Sequence, residues 1–431
     1  MIIWGLLIFL TLIIFLALRI PVAYALGGLG LLILFFLNGI DGFGLVPSTV
    51  WSSVANYTLI TAPLFILMGS IITHCGIGNK IYEAVGKLLH FLPGSLAIST
   101  TVGCAILGAV SGSSVATAAA VGNMAVSEMR KQGYGMAFAS GSVAAAGTLA
   151  IMIPPSIPMI IYGIITETSI RDLFIAGVIP GIILTAFFSL YQIWHELRNK
   201  NRRGILLRSA RMNYWDYLSA LVDLAPATVL IIAVFGSMYT GFATITESAA
   251  IGMIGSLIIA FFYRTLSWKK MGIILIESAK TSSMIGLIIV GASLFGYALT
   301  ASNIAPDIAE GIINLRLPPW IIFIVINLLF IFLGCFMEVL SILVITMPIL
   351  LPVILKLGWD PVWFGIIVTV TMEMALITPP VGLNLYVTQG VVEGLSLETV
   401  SRGSLPFVII LCIGIGLFGL FPEIVFWLSK V

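Results

Sequence analysis

The residues best suited to chemistry in this chain are hydroxyl groups and prolines set inside long apolar runs. Residues 108–120 read GAVSGSSVATAAA, and the residues of interest are the hydroxyl-bearing Ser111, Ser113, Ser114 and Thr117 together with Gly112. Small residues of this kind also pack membrane helices against one another. The Gly-Ser-Ser group, however, suits a tight turn in which the backbone can approach a ligand closely. We interpret it as a candidate binding site at the tip of a hairpin.

Two proline pairs interrupt apolar runs half the chain apart. Residues 151–160 read IMIPPSIPMI and residues 376–385 read LITPPVGLNL, so the offset from Pro154 to Pro379 is 379 − 154 = 225. Proline breaks a helix, and an unpaired backbone group in hydrocarbon costs several kcal/mol. The backbone groups that are freed at a break within the membrane therefore need a hydrogen-bond or ionic partner. Freed carbonyls suit Na⁺, and the new helix N-termini suit anions. The polar neighbours of the breaks are Ser156, Thr378, Gly382 and Asn384.

Two glutamates lie deep in apolar sequence. Glu338 follows Gly334 and precedes Ser341 in GCFMEVLSILVITMP, the tip of a second candidate hairpin. Glu373 precedes the second proline pair. An intramembrane acid is a functional hypothesis by default. For both glutamates two interpretations stay open: direct coupling to an ion or proton, and structural support of a hairpin backbone.

The composition defines the class of protein. Of 431 residues 60% are hydrophobic and 9% charged, with a mean hydropathy of +1.16, whereas a soluble domain carries about 25% charged residues. The chain is predicted to be an all-α, multi-pass protein of the lipid bilayer, with a retained first helix. A net charge of +2 without a basic face argues against nucleic acid as a partner. The four cysteines are far apart and the three histidines isolated, so neither predicts a metal or catalytic cluster.

Further matches at the same offset predict an internal repeat. Ile20 matches Ile245, and Gly133 matches Gly358. We predict two repeats, each with five transmembrane helices, one re-entrant hairpin and a helix broken near the membrane midplane. The predicted boundaries are a first repeat at 1–194 (hairpin 93–129, broken helix 136–163), a linker at 195–224, and a second repeat at 225–431 (hairpin 319–355, broken helix 361–390).

The charges predict how the repeats lie in the membrane. The linker is the most basic stretch and is predicted to be cytoplasmic by the positive-inside rule, which puts both termini in the periplasm. Since five crossings are an odd number, the second repeat is inverted relative to the first. Inverted repeats with broken helices are typical of secondary transporters.

Three stretches resemble one known family. GAVSGSSVATAAAVGNMAVSEMRKQGY, IPPSIPMIIYG and MEMALITPPVGLNLYV are similar to the large membrane subunit of a tripartite ATP-independent periplasmic (TRAP) transporter. The resemblance implies Na⁺-driven import of a small organic acid across a bacterial inner membrane, without an organic cofactor and by an elevator mechanism. It implies two partners, a small four-helix membrane subunit and a periplasmic substrate-binding protein. Many members carry aspartate at the second tip, where this chain has Glu338.

The family's ion-binding regions map onto the tips and breaks. The Na⁺ ligands predicted in this way are Ser111, Gly112, Ser113, Pro154, Gly334, Glu338, Thr378, Pro379 and Gly382. The predicted substrate contacts are Ser114, Thr117, Ser156, Ser341 and Asn384. Glu338 and Glu373 are the candidates for coupling.

Other functions compete with this interpretation. The nearest alternative is a stand-alone Na⁺- or H⁺-coupled carboxylate symporter or antiporter of the same inverted-repeat type. An intramembrane enzyme is disfavoured because the sequence has neither a phosphate-binding GxxxxGK[ST] loop nor an HExxH motif. A channel is disfavoured because hairpins entering from both sides indicate alternating occlusion.

Overall fold

The regular structure of the protein is entirely helical over the residues that the structure describes. These are residues 2–198 and 213–428 of a computed structural model, and every regular element within them is an α- or 3₁₀-helix. By length and composition, eight of the described helices could cross a membrane. The prediction of an all-α, multi-pass membrane protein is confirmed.

The first half contains ten α-helices within its described residues. They are α1 Ile2–Ala17, α2 Val22–Asn38, α3 Val46–Val54, α4 Thr61–His74, α5 Ile77–Leu88, α6 Ser95–Ser111, α7 Ser114–Lys131, α8 Met136–Thr148, α9 Ile157–Thr166 and α10 Ile170–Arg198.

The second half contains ten more within the described part of the chain. They are α11 Tyr214–Tyr239, α12 Ile245–Phe262, α13 Trp268–Ala301, α14 Ile304–Asn314, α15 Pro319–Gly334, α16 Val339–Lys356, α17 Pro361–Leu376, α18 Leu383–Val391, α19 Leu397–Leu420 and α20 Pro422–Val425.

The offset between the two proline pairs also relates the helices of the two halves. Adding 225 to Ser114–Lys131 gives 339–356, the bounds of α16, and adding it to the start of α8 gives the start of α17. Gly133 and Gly358 both adopt positive φ in the turns that precede these helices, at 79° and 70°. The two proline pairs contain the cis peptide bonds Pro154–Pro155 and Pro379–Pro380. The same local signals thus produce the same elements in both halves.

The halves differ at two places. The 34-residue helix α13 is the counterpart of α3 and α4 together, without the interruption that separates those two. Helix α11 begins at Tyr214, inside the range assigned to the linker, because Asn213 and Asp216 form a capping box at its start. The rest of the predicted linker between α10 and α11, residues 199–212, lies outside the described residues.

The two repeats are interlocked rather than separate. Helix α2 packs along α13, α4 along α12, and α8 along α19. The closest approach is made by glycines: a Cβ added to Gly403 would overlap the carbonyl of Ala137, and Gly141 lies directly against Gly403. This contact needs small residues, as is usual where membrane helices cross closely. One hydrophobic core accordingly contains residues from both halves.

Candidate functional site

The first hairpin tip is a two-residue turn between α6 and α7. Gly112 ends α6 with a φ of 63°, a left-handed conformation that favours glycine. Ser113 caps α7, and its Oγ accepts a hydrogen bond from the Ala116 amide at 3.3 Å. The hydroxyls of Ser111 and Thr117 lie 2.8 Å apart across the turn. The tip is thus held by its own hydroxyl groups.

The first proline break is closed by Ser156. Helix α8 passes into a 3₁₀ turn at Leu149–Ile151, and α9 starts at Ile157. The Ser156 hydroxyl donates to the Ile151 carbonyl at 2.5 Å and accepts from the Met159 amide at 3.5 Å. Because Pro154, Pro155 and Ser156 are all buried, this break is sealed inside the protein.

The first tip and the first break touch through their backbones. A Cβ on Gly112 would lie 2.8 Å from the Pro155 carbonyl oxygen. One turn earlier, a Cβ on Gly108 would overlap the Cα of Ala150. Glycine at both positions lets the tip lie directly on the carbonyl groups of the break.

The second tip and break repeat this arrangement with different residues. Gly334 lies against Ala375, and the Cys335 sulfur is 3.8 Å from the Thr378 carbonyl oxygen and 3.7 Å from that of Pro379. Gly382 has a φ of 56°, which brings it against the carbonyl groups of Leu376 and Thr378. Backbone carbonyls therefore cluster at this junction as well.

Glu338 and Asn384 provide a carboxylate and an amide group in the second half of the site. Glu338 is the N-cap residue of α16, as Ser113 is of α7, but its exposed carboxylate makes no capping hydrogen bond. Asn384 is fully buried in the first turn of α18, and its Nδ2 donates to the Ala144 carbonyl at 3.3 Å. Its Oδ1 has no hydrogen-bond partner among the described residues.

Each tip also packs against the break of the other repeat. Helix α7 lies against α18, and α16 lies against α9. All four interruptions thereby meet around one central cavity of about 120 Å³. Its lining includes Gly112, Ser113 and Ser114 from the first tip, and Glu338 from the second. Ile157 and Leu383, the first residues of α9 and α18, complete the four sides.

The helix dipoles give this central cavity a mixed electrostatic character. Helices α7, α9, α16 and α18 begin at its wall, and their N-terminal ends favour anions. Helices α6 and α15 end at the two tips, and α17 ends at the wall, so carbonyl-bearing ends that favour cations lie beside them. The arrangement can hold an anion and a cation together.

The predicted site residues lie in four kinds of position. Gly112, Ser113, Ser114 and Glu338 line the central cavity. Ser341 lines an adjoining cavity of about 730 Å³, which also contains Glu338. The others lie in the walls of the junctions, except Glu373, which is fully buried within α17 with both carboxylate oxygens lacking a described hydrogen-bond partner.

Three charged or titratable residues near the tips were not predicted from the sequence. Lys280 lines the larger cavity together with Glu338. Glu277, one turn earlier on α13, contacts His74, with Nε2 and Oε2 3.1 Å apart. The available signal in the sequence was a Glu and a Lys within the long apolar segment that forms α13.

Comparison with known proteins identifies the family. A family model described as the DctM component of the tripartite ATP-independent periplasmic transporter matches residues 9–424. The chain belongs to this family. It is 38% identical over 359 residues to the large permease protein DctM of a C4-dicarboxylate TRAP transporter from Pseudomonas aeruginosa, covering 83% of each chain. It is therefore a multi-pass transporter of the inner membrane and not an enzyme.

Other similar proteins bear different substrate names. The large permease protein SiaM of a sialic acid TRAP transporter from Vibrio cholerae is 29% identical, covering 95% of each chain. The isethionate TRAP transporter permease protein DctMQ of Oleidesulfovibrio alaskensis is 33% identical, and this chain spans 61% of its length. The YdaH transporter of Alcanivorax borkumensis has a similar fold, with a TM-score of 0.59 at 13% identity, covering 90% of this chain and 91% of that one.

Proposed function

We propose that this TRAP large subunit couples Na⁺ entry to the import of a small organic acid. The observation that supports the proposal is the meeting of both tips and both breaks around one cavity, where helices begin and end side by side. Helix N-termini attract the substrate anion, and freed carbonyls attract the cation. Each ion lowers the electrostatic cost of bringing the other into a site of low dielectric.

The two tip–break junctions are the proposed Na⁺ sites. Hard cations prefer oxygen ligands, and the first junction offers them from Ser111–Ser113 and the carbonyls around Pro154. The second junction offers the carbonyls of Thr378 and Pro379 beside Gly382, with Gly334 and Glu338 from the tip. Because each tip rests on carbonyl groups of its own break, a cation between them would fix the tip in place.

The substrate anion is proposed to bind at the N-terminal ends of the half-helices. Ser114 and the amide groups of the first turns of α7 and α16 are its proposed contacts at the two tips. The unpaired Oδ1 of Asn384 offers an acceptor for a hydroxyl or a protonated group of the substrate. The names of the relatives, C4-dicarboxylate, sialic acid and isethionate, have an anionic group in common.

We also propose how the subunit moves and which partners it binds. Glycine contacts bind α8 closely to α19, and α6 and α7 to α8, so hairpins and broken helices can move as one block. The elevator motion would carry this block past α2 and α13. The tripartite nature of the family supports two partners, a small membrane subunit and a periplasmic substrate-binding protein.

The experiment is thermal unfolding of the purified chain in NaCl, KCl and choline chloride at equal ionic strength. Na⁺ at ten times its dissociation constant should stabilise the protein by about 1.4 kcal/mol. Ser113→Phe should lose this Na⁺-specific shift, whereas Ser127→Phe, on the exposed side of the same helix, should keep it. Equal unfolding in all three salts would contradict Na⁺ coupling.

Proton coupling is the second candidate, and Glu373 is the observation in its favour. A carboxyl group that is fully buried without a described hydrogen-bond partner is costly to ionise in that position. Uptake driven by a pH gradient alone, and lost in Glu373→Gln, would favour protons over Na⁺.

A further inference from the structure

A third cavity, with many polar residues in its lining, lies beside the first hairpin tip. It has a volume of about 180 Å³ and is bounded by α4, the first tip, α9 and α13. Its polar lining consists of Ser70, Thr73, His74, Ser111, Ser113, Glu277, Ser278 and Thr281. Ser111 and Ser113 belong to the tip, so this cavity adjoins the first proposed Na⁺ junction.

One buried hydroxyl in this cavity lacks a partner. Ser278 is only 6% exposed, and its Oγ makes no hydrogen bond to any residue that the structure describes. Leaving a buried polar group unpaired costs about 1–3 kcal/mol. Next to it in sequence is Glu277, which also lines the cavity and has a half-exposed side chain. A hydroxyl without a partner beside a carboxylate points to a cationic ligand.

His74 is the polar partner of Glu277. Its Nε2 lies 3.1 Å from the Glu277 carboxylate, and its Nδ1 lies 2.9 Å from the Ser70 carbonyl oxygen. The contact with His74 occupies one side of the carboxylate, so a cation that binds Glu277 would compete with His74 for it.

Two helix ends add to the attraction for a cation. Helix α4 ends at His74 and α6 ends at Ser111, and both bring carbonyl-bearing, partly negative ends to the cavity. A Cβ on Gly69 would lie 2.5 Å from the Ser111 carbonyl oxygen, so the two helices meet here by backbone contact. Lys280, one turn beyond Glu277, lines the larger neighbouring cavity with Glu338 instead.

We propose that this cavity is an additional site for a monovalent cation, with Glu277 as its anionic ligand and Ser278 and Thr281 as neutral ligands. It rests on the proposed Na⁺ coupling and extends it. Na⁺ moving to or from the first tip would pass through this site and displace the His74 ring from Glu277. Its three ligands lie on α13, outside the proline breaks, and α4, the first tip and α9 complete its walls.

The test is the apparent dissociation constant for Na⁺, obtained from thermal unfolding at constant ionic strength with choline as the replacement cation. Glu277→Gln should weaken Na⁺ binding by about five- to tenfold, because it removes the anionic ligand. His74→Gln should strengthen it by roughly two- to fivefold, the range for a partly exposed side-chain pair, because the ring no longer competes for the carboxylate. The double variant should behave like Glu277→Gln, because His74 acts only through that carboxylate. Glu277→Asp should restore part of the affinity.

A matched control separates this site from general charge effects. Glu310→Gln removes one charge from the exposed pair of Glu310 and Lys356, whose charged atoms lie 3.3 Å apart, and should leave Na⁺ binding unchanged. One outcome would overturn the additional site and leave Na⁺ coupling intact. In that outcome Ser113→Phe loses the Na⁺ effect, but Glu277→Gln and His74→Gln behave like this control. A wild-type protein without any Na⁺-specific shift would overturn both.

Discussion

Gly112→Ala is the most direct test of the contact between the first tip and the first break. The substitution has two physical effects that can be separated. One is the left-handed backbone, with φ at 63°, which costs a residue with a Cβ about 1–2 kcal/mol. The other is the approach of the new methyl group to within 2.8 Å of the Pro155 carbonyl oxygen.

The second effect determines the size of the functional change. An ordinary contact begins at 3.4 Å, so the tip must move by about 3.4 − 2.8 = 0.6 Å from the break. Ligand distances in ion sites are held within about 0.2 Å. A Na⁺ site shared by tip and break should therefore lose at least about tenfold in affinity, which is about 1.4 kcal/mol.

The matched control is Gly133→Ala. Gly133 has a φ of 79°, and a Cβ there meets nothing within 4 Å. Both variants should lose about 1–2 kcal/mol of unfolding free energy in choline chloride, but only Gly112→Ala should lose the Na⁺-dependent stabilisation. If the two variants respond equally to Na⁺, the first junction is not a Na⁺ site and the reasoning fails.

Three further predictions concern contacts that hold the site in place. Gly403→Ala should lower the unfolding free energy by about 2 kcal/mol or more, since its methyl group would overlap the Ala137 carbonyl. The control is Gly416→Ala on the same helix, which meets open space and should leave the unfolding free energy unchanged. Chemical denaturation of both variants compares them. Asn384→Ala should lower uptake into proteoliposomes by about tenfold or more, because the amide that joins α18 to α8 is lost; uptake at the wild-type rate would exclude Asn384 from the site. Thr371→Val should cost about 1–3 kcal/mol, because it leaves the buried Asn327 Oδ1 without its donor; a double variant that also removes the amide, Asn327→Leu, should recover part of that loss.

The sequence was sufficient for the local features of the fold. Proline pairs and glycine turns act on the backbone close to themselves, so their recurrence at one constant offset predicted matching elements in the two halves, and the bounds of α7 and α16 differ by that offset. The serines of the first tip were predicted for the same reason, because they lie beside the glycine of the turn. The start of α11 was placed too late, because the polar residues of a capping box at Asn213 resemble a linker.

Only the tertiary structure decided which of these local features contact one another. The packing of each tip on the break of the other repeat joins residues from opposite halves of the chain, and no local pattern specifies such a pairing. The same holds for Glu277, which contacts His74 in the first half of the chain. The sequence determines where the helices break because proline and glycine act on their own backbone. The fold determines what the breaks can bind, because helix ends of opposite partial charge lie side by side only where several helices converge.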